Sequence, residues 1–347
     1  MSADTLSTVL DAVRLNGAVF FSIEASAPWV AEAPPSAVIG PRVMPGAGHV
    51  LEYHVVARGR AWGGIVGGEP VLLEAGDVIV FPHGDPHTMS SAPGMRAEPG
   101  IKLHQRPTDL QLPFPLTFGS AGPRDVHVVC GFLGCDAHPF NPLLASLPRT
   151  LVVRASHEDG EDPIRQFIRL AVRESTTKRL GGECILARLS ELMFVEVLRR
   201  HLAALPPGAG GWLGGLRDPV VGRALGLIHA EPARDWSLEE LARTVGASRS
   251  TLAERFAQLV GQPPMQYLTC WRMQVAASLL ARGDAGVATV AERVGYDSEA
   301  AFSRAFKKHA GLSPGAWRRA RGAARGAGSA VPDQNLTGRP GPPDRRR

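Results

Sequence analysis

The sequence predicts a multidomain chain of mixed α and β structure: an N-terminal β-barrel or sandwich, a helical middle and an all-α C-terminal domain. Three observations carry that reading. From Ala18 to about Leu133, short apolar runs such as AVFFSI, YHVVARGRAW, PVLLEAGDVIVFP and VHVVCGFL are broken by Gly, Pro and Asp clusters. That is the texture of many short strands. Beyond residue 160 the apolar residues recur at helical spacing instead. The charge divides along the same line: residues 1–150 carry nine Lys and Arg against thirteen Asp and Glu, and residues 151–347 carry 29 against 20. An acidic front and a basic back point to a polyanion met by the back half.

Taken in order, residues 4–15 place Leu6, Val9, Leu10 and Val13 on one face of a short amphipathic helix. The strand-rich stretch follows, and HPFNPLLASLP (138–148) reads as its structured exit. Two helices are expected over 161–177 and 183–204, the second with a stripe of Leu186, Leu189, Met193 and Val197. Such a stripe packs on its own domain or on a second copy of the chain. PPGAGGWLGG (206–215) has the composition of a flexible connector. These features divide the chain into a front domain (1–150), a helical dimerisation region (151–205), the connector, a compact helical domain (216–321) and a low-complexity basic tail (322–347) expected to be disordered.

Hydrophobic residues make up 44% of the 347, enough for real cores, which excludes disorder except locally. Cys130, Cys135, Cys184 and Cys270 are too irregularly spaced for a disulfide framework. No apolar run reaches the roughly 18–20 residues of a membrane span. The opening MSADTLSTVLDAV lacks the pattern of a signal peptide. The expected location is the cytoplasm, with no membrane partner.

The C-terminal domain repeats one plan. In WSLEELARTVGASRSTLAERFAQLVG (236–261), Ser237 caps a helix carrying Leu238, Leu241 and Val245. Gly246 then makes the turn, and Ser248 caps a second helix carrying Leu252, Phe256 and Leu259. In VATVAERVGYDSEAAFSRAFKKHAG (287–311), Val287, Val290, Ala291 and Val294 form the first face, Gly295 the turn, Ser298 the cap, and Phe302 with Phe306 the second face. One helix-turn-helix pattern is weak, since any helical hairpin imitates it. Two copies are strong. PPMQYLTCWRMQVAASLLARG (263–283) predicts a rigid strut between them, which suits two helices entering major-groove segments about 34 Å apart.

On these residues, 216–321 resemble the DNA-binding domain of the AraC/XylS family of bacterial regulators. AERVGYDSEAAFSRAFKKHAGLSPGAWRR keeps the glycine-aromatic turn, the F-S-R-A-F-K-K helix and the G-L-S-P closing segment. The resemblance implies double-stranded DNA and RNA polymerase as partners, and activation more often than repression. Candidate DNA-binding residues are Arg249, Ser250, Thr251, Glu254 and Arg255 in the first unit, and Ser298, Glu299, Ser303, Arg304 and Lys307 in the second. Arg reads guanine and Glu accepts from cytosine, whereas later Lys and Arg contact phosphate.

The front domain resembles a cupin. GDVIVFPHGDPHTMSS (76–91) fits the second cupin motif through Gly76, Pro82, Gly84 and His87. The first motif keeps Gly48, His54 and Gly67 but has Val56 in place of its second His and Arg60 in place of its Glu. Candidate effector or metal residues are therefore His54, His83 and His87, with His104 and His127 as substitutes and Arg58 or Arg60 as partners for an acidic effector. A pocket without metal and a divalent metal site both remain open. Cys130 and Cys135, four residues apart across GFLG, offer a redox switch if the backbone turns between them. The combined expectation is a transcription regulator, a homodimer, controlled by a small-molecule or oxidative signal. The competing reading is a metal-dependent cupin enzyme fused to a DNA-binding domain.

Overall fold

The computed structural model describes residues 4–104, 111–155, 162–283 and 285–329. Helix α1 (Thr5–Ala12), whose first turn is capped by the Asp4 carboxylate, leads into β1 (Asn16–Ser26) and β2 (Val30–Ala33). A short helix α2 (Ser36–Val43), not anticipated within the strand-rich stretch, precedes β3 (His49–Arg58), β4 (Arg60–Ile65), β5 (Val71–Glu74), β6 (Val78–Phe81) and β7 (His87–Ser90). After a 3-10 turn at Ile101–His104 come β8 (Phe114–Gly119), β9 (Val126–Cys135), α3 (Pro142–Ser146) and β10 (Leu151–Val153).

The strands form two sheets, one in the order β10-β6-β3-β9-β1-β8 and one in the order β2-β7-β4-β5. All pairs are antiparallel except β1 with β8. The larger sheet is covered on both faces, which is why β9 is buried at every position. Side chains alternate across a strand. Val128, Cys130 and Phe132 therefore join the core between the sheets, and Val129, Leu133 and Cys135 join the core on the helical side.

That helical side is built by α4 (Pro163–Thr177) and α5 (Gly182–Ala204), close to the expected spans. Gly17 lets α5 close on β1: a Cβ there would lie 2.7 Å from both the Ala187 carbonyl and the Ser190 Cβ. The expected stripe on α5 faces this sheet, with Leu186, Met193 and Val197 buried and Leu189 partly so. The large apolar side chains of α5 left exposed are Ile185 and Leu192.

The connector is shorter than its composition implies. Gly211–Arg217 forms helix α6, with Trp212 and Leu213 buried. Burying an indole against the next helices overrides the poor helix propensity of its glycines. Then follow α7 (Val221–Ala230), α8 (Leu238–Val245), α9 (Arg249–Val260), α10 (Pro264–Arg282), α11 (Val287–Arg293), α12 (Glu299–Ala310) and α13 (Pro314–Ser329). α13 runs past residue 321, where the tail was expected to begin; the tail beyond Ser329 lies outside the described residues. Among the described residues, no helix is long and apolar enough to cross a membrane.

The cores are not divided as the domains are. One continuous apolar cluster runs from the outer face of the large sheet through α4, α5 and α6 to Leu241, Phe256, Tyr267 and Trp271 of the first helix-turn-helix unit. The second unit has its own cluster around Phe302, Phe306 and Trp317.

Candidate cavity site and paired helix-turn-helix units

Between the two sheets lies a cavity of about 150 Å³. Its apolar wall includes Phe21, Ile23, Met89, Leu103, Leu116 and Phe118, and its polar residues include Glu52, His54, His87 and His104. β3 places Glu52 and His54 two residues apart on one face, and β7 begins at His87 on the opposite sheet. The turn before His87 depends on Gly84, at φ +68°, where a Cβ would lie 1.6 Å from the Ser36 Oγ. This is the physical reason for the glycine in the P-x-G-x-x-H pattern.

The three side chains converge. His54 Nε2 lies 2.7 Å from His87 Nε2, and His87 Nε2 lies 3.6 Å from Glu52 Oε2. His87 Nδ1 is 2.9 Å from the Asp85 carbonyl, to which it donates, so its Nε2 keeps a lone pair. The ring also stacks on Phe81, centroids 3.8 Å apart. All three groups are buried, and Glu52 Oε1 has no hydrogen-bond partner. Burial pushes the Glu52 carboxyl up to about 8 and the His87 imidazole down to about 4, and it holds His54 well below its ordinary value. A neutral acid and two neutral imidazoles result at neutral pH.

Sequence reasoning missed Glu52, because the cupin pattern directs attention to positions after His54. The available signal was the strand period of two in LEYHVV. The other candidates fall elsewhere. His83 is excluded from the cluster, its Nε2 lying 3.0 Å from the Leu147 carbonyl. His127 meets Ser22 and Glu24 outside the cavity. Arg58 pairs with Glu24 and Arg60 with Glu74, so neither reaches a ligand in the cavity. His104 does line it, held by the Gly100 carbonyl at 2.8 Å.

The cysteine pair is corrected by β9. GFLG is straight strand paired on both sides, with Cys130 opposite His54 and Cys135 opposite His49. Five residues of strand put the two roughly 16 Å apart, on opposite faces of the sheet, and a disulfide cannot span that. Both thiols are free and buried, and burial pushes Cys135 up to about 12 and Cys130 higher than its ordinary value.

The C-terminal units form as read. Ser237, Ser248 and Ser298 cap α8, α9 and α12, accepting from the amides of Glu240, Thr251 and Ala301. Gly246 and Gly295 take φ of +74° and +76° in the turns. α10 is the strut, with Tyr267, Trp271 and Met273 fully buried. On α9, Arg249, Ser250, Thr251, Glu254 and Arg255 are exposed, although Arg255 is paired with Asp218. On α12, Ser298, Glu299, Arg304 and Lys307 are exposed and Ser303 is partly so.

Residues 4–203 match the Cupin family and residues 241–320 match a helix-turn-helix domain family. A putative AraC-like transcription regulator of Streptomyces lividans is 36% identical over 275 residues, covering 79% of this chain and 88% of its own. The chain belongs to the AraC family of transcription regulators. A second putative AraC-like regulator, from Streptomyces antibioticus, is 32% identical over 318 residues, covering 91% of this chain and 98% of its own. The DNA-binding domain of AdpA, solved in complex with a target DNA, is 33% identical, covers 31% of this chain and 97% of that one, and superposes with a TM-score of 0.30. This AraC-type chain thus joins a cupin domain suited to ligand sensing to a DNA-binding helix-turn-helix domain.

Proposed function

We propose that this regulator reads two successive major-groove segments with α9 and α12, and that a small effector in the cupin cavity sets how those helices are presented. The observation that carries the second half is the continuous apolar cluster joining the cavity-bearing sheet to the first helix-turn-helix unit. Close-packed interiors transmit rearrangement rather than absorb it. The cavity is mainly apolar with one polar end, which suits a compact ligand carrying one polar group.

We read Arg249, Ser250, Thr251 and Glu254, with Ser298, Glu299, Ser303 and Arg304, as the groove-facing residues. Lys307 then contacts phosphate, and Arg255 serves DNA only by exchanging Asp218 for it. We read the chain as a front domain (1–150), a helical region (151–205) and a DNA-binding domain (216–321), with α6 packed between α3 and the helices α7 and α9. A homodimer would use the exposed Ile185 and Leu192 of α5, and activation would proceed through RNA polymerase. The cavity is a binding site rather than a catalytic one: Val56 lies in the core between the sheets and Arg60 on the surface, so neither first-motif position supplies a donor.

The test is a binding assay on operators found by genome-wide mapping of bound DNA, with and without compounds that raise the melting temperature of the full chain. The cavity-narrowing substitution Leu116→Phe should abolish the compound response and spare basal DNA binding. Compounds that still shift DNA affinity through Leu116→Phe would place the effector elsewhere.

A further inference from the structure

We propose that the cleft where the cupin domain, α5 and the DNA-binding domain meet is a second ligand site, taking a small multivalent oxyanion such as a phosphorylated or polycarboxylate metabolite. The cleft shares no lining residue with the cavity between the sheets and does not depend on the reading of that cavity.

Its volume is about 730 Å³ and its lining is mainly polar. Four arginines reach it from three regions of the chain: Arg14 follows α1, Arg188 lies on α5, and Arg282 and Arg321 lie on α10 and α13. Against these four guanidiniums the described lining residues set two carboxylates, Asp11 and Asp136. Arg14 and Arg282 stand at the C-terminal ends of α1 and α10, and each helix dipole supplies about half a negative charge there. The lining stays positive after both are counted.

The arginines are held in place by the fold. Arg14 sits at φ +53°, in the left-handed region where a helix more often ends on glycine, and the Leu15 amide closes the turn on the Leu10 carbonyl. From there its Nε and Nη2 donate to the two oxygens of Asp136 at 2.7 and 2.8 Å. Asp136 is 2% exposed, and its Oδ1 also faces Arg321 Nη1 at 3.2 Å. Gly48 makes room for that contact, because a Cβ there would lie 3.1 Å from Arg321 Nη2. The Arg321 guanidinium also lies 4.9 Å from the centroid of the Trp317 ring.

Two guanidiniums on one buried carboxylate leave a positive charge uncompensated at that point. Arg282 and Arg188 face the same space through exposed pairs, with Asp11 at 3.0 Å and with Glu191, outside the lining, at 3.3 Å. Water competes for such pairs, so they yield to a better acceptor. Phosphate and carboxylate groups match the guanidinium fork with two parallel hydrogen bonds. An oxyanion with several oxygens therefore engages arginines of the cupin side and of the DNA-binding domain together.

The experiment is titration calorimetry on the full chain with two probes, pyrophosphate and citrate, at an ionic strength held constant with chloride. The expected result is one saturable site per chain. Tighter pyrophosphate assigns the site to phosphate esters, and tighter citrate assigns it to polycarboxylates. Arg282→Gln and Arg188→Gln, both at exposed side chains, should each weaken binding about tenfold or more. Arg173→Gln, which removes the same charge from α4 outside the cleft, should leave it unchanged.

Heat that saturates for neither probe overturns the proposal, as does equal weakening by Arg173→Gln. Operator affinity that falls in Arg282→Gln and Arg188→Gln while probe binding is unchanged assigns the cleft to DNA and overturns it too. Leu116→Phe should bind the probes as the unaltered chain does, and loss of binding there would move the anion into the cavity between the sheets. If the probes fail while compounds still act through that cavity, the cleft site is wrong and the cavity reading stands.

Discussion

Gln274 joins the two ends of the molecule, and Gln274→Met tests how much that junction matters. The side chain sits on the strut α10 and is fully buried. Its amide donates to the Ala12 carbonyl at 3.0 Å, and its carbonyl accepts from the Phe140 amide at 3.1 Å. One residue thus satisfies the end of α1 and the chain leaving the cupin domain. Methionine keeps the volume and removes both bonds. Each bond contributes about 0.5–1.5 kcal/mol net, and each backbone group left unpaired costs about 1–3 kcal/mol where water does not reach it. Part of that is offset by the transfer of the methionine side chain, so the expected loss is about 2–4 kcal/mol. The assay is hydrogen exchange of the Phe140 amide in the full chain, where this loss corresponds to exchange at least roughly 30-fold faster. Protection within a factor of two of the unaltered chain would refute the reasoning. The same variant should also weaken any effect of cavity ligands on DNA binding, because the rigid link between the cupin domain and the strut is lost.

Arg304→Ala should lower operator affinity by about 1–3 kcal/mol and relax one base position if Arg304 reads a base, or flatten the salt dependence if it meets phosphate; unchanged affinity and sequence preference in a binding assay would remove it from the interface. Ser248→Ala should cost about 1 kcal/mol in thermal unfolding by stripping the cap from the Thr251 amide, and Ser248→Asp should largely restore it. His229 packs on Trp271 and bonds the Tyr267 hydroxyl at 2.7 Å, and burial lowers its pKa to about 3. Because the unfolded chain takes up this proton near pH 6.5 and the folded chain does not, the His229 contribution is complete above about pH 6.5 and is lost progressively as pH falls toward 3, by up to about 4 kcal/mol. His229→Gln should flatten that part of the stability profile, and equal slopes in the two proteins would count against it. Cys130 and Cys135 should resist thiol reagents and mild oxidant in the native state, with Cys184, which is exposed, modified first; mass analysis finding a Cys130–Cys135 disulfide in folded protein would contradict the straight course of β9.

Much of the C-terminal domain was legible because its signals are local. A serine hydroxyl capping an amide three residues on, and a glycine at positive φ, are decided within one turn of chain, so Ser248, Ser298, Gly246 and Gly295 could be placed without tertiary information. The connector misled for the opposite reason. Gly and Pro dominate its composition, but Trp212 gains more by docking than the backbone loses by becoming helical. Glu52 escaped because motif spacing was allowed to outrank strand alternation. The cysteine switch failed because two glycines permit a turn without requiring one, and pairing with both β1 and β3 kept β9 extended.

The sequence by itself determined the class of each domain, the duplicated helix-turn-helix plan and the family, since period, caps and turn glycines act over a few residues. Only the tertiary structure decided which polar groups meet. Glu52, His54 and His87 come from two sheets, and Gln274 reaches α1 across 262 positions of chain. Their convergence follows from how the sheets and helices pack, and no local pattern encodes it.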